Sequence, residues 1–139
     1  GQIDRGGAIN SSRTAEGSLL VGSGGASDLT HGESDYIVVM PAARGRLLDG
    51  VSFVTSPRGR LKALCTDLGV FVPSPPHGDL ELSGVVATGH SGAQEAIAKL
   101  KSLCEWKLAV RNDLTLLPPP ERQEIELLRS FDPERTLLA

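Results

Sequence analysis

Ser18-Leu19-Leu20-Val21-Gly22-Ser23-Gly24-Gly25-Ala26-Ser27-Asp28 sets an apolar run directly against a glycine-rich turn. The run reads as a strand that passes through the turn into a short helix over Ala26 to His31. Ser23 or the loop amides would lie at the helix N-terminus. Glycine permits positive φ and leaves no side chain between an amide and an approaching group. Successive free amides beside a helix start make a place for a carboxylate, a phosphate or a developing oxyanion. The same residues also suit a plain tight turn that packs strand against helix. Asp28 suits either a ligand-positioning carboxylate or a turn cap. The spacing is not G-x-G-x-x-G, and no P-loop lysine follows, which disfavours NAD and ATP.

Outward from this loop, Tyr36-Ile37-Val38-Val39-Met40 is β-branched and too short for a helix. Such a run predicts a strand covered on both faces, as in a parallel sheet. Gln2-Ile3-Asp4 and Ala8 to Ser11 predict two short strands, and Arg13 to Gly17 a polar turn. Val51 to Val54, Leu61 to Thr66 and Gly69 to Val72 predict three more strands, with a bend at Thr66-Asp67-Leu68. Pro73, Pro75 and Pro76 end that stretch by removing donors. His77-Gly78-Asp79 is read as a turn, and Leu80-Glu81-Leu82 as an edge or hairpin strand. A helix from about Gly92 to Cys104 carries Ala93, Ala96, Ile97, Leu100, Leu103 and Cys104 on one stripe. Ser91 with Gln94 has the capping-box pattern. Leu108-Ala109-Val110 is read as a last strand. Pro118-Pro119-Pro120 is a stiff spacer. A second helix over Glu121 to Phe131 presents Ile125, Leu128 and Phe131 as an apolar face for docking. The expected class is α/β, an open, mostly parallel sheet flanked by helices. Residues 1–117 form the main domain, and 118–139 the spacer with its docking helix.

Composition narrows the function. The 139 residues carry a net charge of −3, which offers no electrostatic reason to expect nucleic acid or an anionic membrane. No apolar run approaches the ~20 residues of a membrane span. Cys65 and Cys104 lie in apolar segments without a CxxC or histidine partner and read as buried free thiols. With no signal-peptide layout, a cytoplasmic location is the default. The chain begins with Gly1, so a processed or partial chain is expected. His31, His77 and His90 lack metal-ligand spacing, and no metal site is expected. Ser11, Ser12 and Ser23 show no base partner or G-x-S-x-G setting, which argues against a serine hydrolase. Arg44-Gly45-Arg46 and Arg58-Gly59-Arg60 are basic turns, suited to phosphates of a nucleotide-like cofactor or simply solvated.

An ordered set of segments resembles one family. Gln2-Ile3-Asp4-Arg5 with Gly7, Ile9 and Asn10 is similar to the GAxQxDxxGNxN stretch of family I coenzyme A transferases, B-subunit type. Gly6 and Ala8 depart from it. Gly22 to Asp28 resembles the family's GSGGAxD loop. Val51 to Pro57 resembles V-x-F-x-T-S-P, and Thr66 to Phe71 resembles T-D-L-x-V-F. Gly89-His90-Ser91-Gly92 departs from the usual HPGVT. Trp106 and Phe131-Asp132-Pro133 resemble the family's C-terminal end.

The resemblance implies the α/β fold that these transferases share with sugar-phosphate isomerases. It implies movement of CoA between an acyl-CoA and a free carboxylate. The family's nucleophile is a glutamate, working through an acyl-glutamyl anhydride and a glutamyl-CoA thioester. That glutamate lies before residue 1, so no catalytic residue is assigned. Gly22, Ser23, Gly24, Gly25, Ala26 and Asp28 are the implied CoA and oxyanion residues, with Asn10 a further candidate. Coenzyme A would be a substrate, with no cofactor held permanently. An A-type subunit or a preceding segment would complete the site, and an open sheet edge favours an oligomer. Two other readings stay open: a thioester or ring-opening hydrolase of the same fold, and a binding module without the nucleophile.

Overall fold

The computed structural model describes residues 1–76, 78–86 and 92–135. The expectations placed on His77, on Gly89 to Ser91 and on the Ser91 cap lie outside these residues. The elements in chain order are β1 (Gln2–Asp4), β2 (Ile9–Asn10), α1 (Gly25–His31), β3 (Tyr36–Val39), β4 (Leu47–Leu48), β5 (Leu61–Cys65), β6 (Gly69–Pro73), β7 (Leu80–Val86), α2 (Ala93–Leu103), β8 (Val110–Leu117) and α3 (Arg122–Phe131).

Five strands form the main sheet in the order β3-β5-β6-β7-β8. The β5–β6 hairpin is set by Thr66. Its hydroxyl accepts from the amides of Leu68 (3.3 Å) and Gly69 (3.0 Å) and donates to the Gly69 carbonyl (2.8 Å). At Gly69 a Cβ would stand 2.6 Å from the Gly84 carbonyl oxygen and 3.1 Å from Leu100 Cδ1. Glycine is required there for β6, β7 and α2 to close up. Leu64, Phe71, Leu82 and Val85 send their side chains into one core. Ala96, Ile97 and Leu100 of α2 cover it, and Trp106 meets Phe71 with ring centroids 6.4 Å apart.

A second, three-stranded sheet runs in the order β2-β1-β4. It joins the same core through the fully buried Ile3 and Leu47. Backbone bonds tie the two parts together, from Leu80 N to Arg5 O (2.7 Å) and from Glu105 N to Leu47 O (2.9 Å).

The α/β class with flanking helices holds. The sheet is mixed, however, where a mostly parallel one was expected. β3–β5 and β7–β8 are parallel, whereas β5–β6 and β6–β7 are antiparallel, because both of those connections are too short for a crossover. β3 is an edge strand, and Ile37 and Val39 on its outer face are exposed rather than covered. Leu19 to Val21 is not a strand. It makes one isolated bridge, Arg13 with Leu19, and its apolar side chains face solvent. Val51 to Val54 is a bend, because the next residues turn back to β2: Thr55 N and Ser56 N both donate to Ile9 O. β7 pairs back on β6 as a hairpin strand, as one of the two readings has it, and lies inside the sheet rather than at its edge, while β8 runs seven residues past the expected Leu108 to Val110 stretch. α2 begins after Gly92 without a side-chain cap. α3 is capped by Glu121 and Glu124 and buries none of its residues, leaving Leu127, Leu128 and Phe131 exposed.

Candidate functional site

The glycine turn is anchored from below. The Arg58-Gly59-Arg60 turn passes under the end of α1, where a Cβ on Gly59 would run into the Thr30 carbonyl. Gly59 also has φ +48, a conformation that favours glycine. Thr30 is buried, and its hydroxyl donates to Ser27 O at 3.0 Å. Tyr36 donates its hydroxyl to the Arg58 carbonyl, and burial pushes that phenol above its ordinary range. Asp35 binds Arg60 at 2.7 Å and Lys62 at 3.2 Å, and the Arg60 hydrogen bond holds its carboxyl below the usual range.

On this base the turn is open. Gly24 caps α1 with φ 53 and ψ −147, and no side chain caps the first turn. The Ala26 amide donates to Ser23 O at 3.3 Å. A Cβ added at Gly24 or Gly25 would meet no atom within 4 Å. Among the described residues, nothing occupies the Cβ side of these two positions. Gly25 has no positive φ either, so its own backbone does not call for glycine. Close approach from outside remains a physical use for it. α1 has seven residues, so its dipole is short and any anion would be held chiefly by the amides themselves.

Gly22 and Ser23 line a groove of about 260 Å³ with Ser12, Arg13, Phe53, Val54 and Thr55. Gly24, Gly25, Ala26 and Asp28 are exposed beyond that lining. The Arg13 guanidinium lies 5.0 Å over the Phe53 ring and donates to Gly17 O at 3.0 Å. Ser12 is buried, and its hydroxyl has no hydrogen-bond partner among the described residues. In the sequence Ser12 reads only as a serine without a base partner, Arg13 only as part of a polar turn, and Phe53 only as part of the V-x-F-x-T-S-P resemblance.

Asn10 lies under this wall rather than in the groove. Its Nδ2 donates to Gln2 Oε1 (2.9 Å) and Arg13 O (2.8 Å), and its Oδ1 accepts from the amides of Ser12 (3.2 Å) and Arg13 (3.1 Å). The side chain is therefore spent on shaping the Ser12-Arg13 turn. Cys104 is remote from the groove, and burial pushes its thiol up to about 12. Among the described residues no cluster of His, Cys, Asp and Glu could hold a metal, and no helix is long and apolar enough to cross a membrane.

The comparisons with known proteins agree with this geometry at the level of fold. No protein-family model matches the chain, and no curated protein matches it. Solved structures do. Glutaconate coenzyme A-transferase from Acidaminococcus fermentans superposes with a TM-score of 0.80 at 22% identity, over 99% of this chain and 58% of that one. The decarboxylase AibA/AibB gives 0.76 at 18% identity, over 97% and 55%. IpdAB of Rhodococcus jostii RHA1 gives 0.67 at 22% identity, over 98% and 59%. The chain thus spans a little over half the length of these relatives. Across its own length it has the α/β fold of the coenzyme A-transferases.

Proposed function

We propose that this chain is the B-subunit-like part of a CoA-transferase, moving CoA between an acyl-CoA and a free carboxylate. The observation that carries the reading is the open glycine turn: Gly24 and Gly25 are exposed, clear of the other described residues on the Cβ side and without a side-chain cap, on a base fixed by Gly59 and Thr30, within a transferase fold. Attack of a carboxylate on a thioester gives a tetrahedral oxyanion, and fixed amides stabilise it without reorganising. Gly22 to Asp28 supplies those donors. The glutamate nucleophile comes from an A-type subunit or from a segment outside these 139 residues. Coenzyme A is the substrate, and the protein works in the cytoplasm as an oligomer.

Residues 1–117 are the transferase part. Residues 118–139 are a spacer and docking helix, and the exposed apolar faces of β3 and α3 suit a partner chain. A second reading keeps the fold and changes the attacking group. Since one structural relative is a decarboxylase, the fold serves more than one reaction, and a thioester or ring-opening hydrolase would use the same amides.

Mass spectrometry of the native protein tests the assignment. A glutamate-bearing upstream segment or a co-purifying partner subunit is expected. If neither is found, the transferase assignment fails for this chain.

A further inference from the structure

The backbone of the Arg44-Gly45-Arg46 turn is fixed at the edge of the small sheet and presents two arginines there. Gly45 takes φ +74, and Arg46 N bonds Ala43 O at 3.2 Å. Gln2 donates to Gly45 O at 3.1 Å, and Ile3 N to Arg46 O at 2.9 Å. Both side chains line a cleft of about 470 Å³ whose facing wall includes Arg13, Thr14, Glu16 and Leu20.

The charges in this cleft are unbalanced. Among the described residues, Arg13, Arg44 and Arg46 form no ion pair, although the chain as a whole is net negative. Arg5 and Arg60, in the same half of the chain, each find an aspartate. Glu16 is the one carboxylate lining the cleft, and it is occupied by its own backbone amide and by Thr14. Three guanidiniums against one engaged carboxylate fit a multiply charged oxyanion, whose geometry arginine matches with paired donors.

Position supplies the rest. Arg13 lines both this cleft and the groove at Gly22 and Ser23. The segment between them, Leu19 to Val21, exposes apolar side chains. A ligand with a thioester at one end, a partly apolar arm and phosphates at the other would span the two.

We propose that the cleft of Arg13, Arg44 and Arg46 is a phosphate subsite that holds the phosphoryl groups of a CoA-type ligand whose thioester end lies at the Gly22–Ser23 groove. The inference rests on the function proposed above for that groove. Isothermal titration of the full 139-residue chain with CoA, pantetheine, adenosine 3′,5′-bisphosphate and inorganic phosphate tests it. CoA and the bisphosphate are expected to bind, and Arg44→Gln with Arg46→Gln to weaken both by about tenfold per arginine removed. Pantetheine binding should not change, and the salt dependence of CoA binding should fall. CoA and bisphosphate binding at the wild-type level in the double variant would overturn the subsite. Inorganic phosphate binding as tightly as CoA would overturn CoA as the source of the phosphate. Should the double variant unfold, Arg44→Gln alone decides the matter, since that side chain is exposed. These readouts are of binding, so they stand or fall separately from transferase activity.

Discussion

Gly25→Ala separates folding from function at the glycine turn. Gly25 is the first residue of α1, has no positive φ, and offers a new methyl group open space with no atom within 4 Å. The substitution removes backbone freedom from the unfolded chain, a gain of about 0.5 kcal/mol at a compatible site. For a domain of this length that corresponds to a rise of roughly 2 °C in Tm. Under the proposed function, the methyl also crowds a substrate that closes on this turn. Loss of a whole oxyanion donor costs about 10²–10³ in kcat, so partial displacement should cost at least about tenfold. The assay is acyl-CoA turnover by the completed enzyme, beside thermal unfolding of the same preparation. A higher Tm with lower turnover is expected, and that combination cannot come from misfolding. Wild-type turnover at the higher Tm would refute the idea that a substrate closes on this turn.

Three further outcomes follow from the packing. Asn10→Ala should destabilise the chain by about 1–3 kcal/mol in urea, since it orphans the Ser12 and Arg13 amides; an unchanged midpoint would contradict the network. Gly59→Ala should cost more than the roughly 1–2 kcal/mol of a left-handed alanine, because its Cβ also meets the Thr30 carbonyl, and amide exchange in α1 should rise with it. Cys104 should resist iodoacetamide in the folded chain at pH 8 and react once the chain is unfolded in urea. Its folded thiol titrates near 12, above the ordinary 9.0, so its contribution to stability is full below about pH 9 and is lost as pH rises toward 12. Alkylation of Cys104 at the rate of a free thiol would contradict that burial.

Local rules were enough for β1, β5, β6, α2 and α3. Their patterns agree with their surroundings: Thr66 makes its own hairpin, and the α2 stripe falls on the core. They failed where a segment's apolar character has no outlet inside the chain. Tyr36 to Met40 reads as buried on both faces, yet β3 lies at an edge with Val39 74% exposed. Leu19 to Val21 reads as a strand, yet among the described residues it meets only the irregular Ser12-Arg13-Thr14 turn, through the Arg13–Leu19 bridge and Leu20 N to Ser12 O. Val51 to Val54 reads as a strand yet bends, because its neighbours Thr55 and Ser56 are drawn to Ile9, a long-range pairing invisible in the local alternation. At the site, the turn was legible because glycine spacing is local. The opposite wall was not, because Ser12, Arg13 and Phe53 meet Gly22 only through the fold. The mixed sheet was likewise hidden, since a short connection such as Thr66 to Leu68 fixes strand direction more firmly than composition does.

Transfer itself gives the most direct test. The chain, completed by its glutamate-bearing segment or partner subunit, is mixed with an acyl-CoA, with and without a second carboxylate, and the thioesters are followed by mass spectrometry. The account predicts a new acyl-CoA formed in step with loss of the first, and only when the acceptor is present. Free CoA released at the same rate without acceptor would contradict it and assign the fold to a hydrolase.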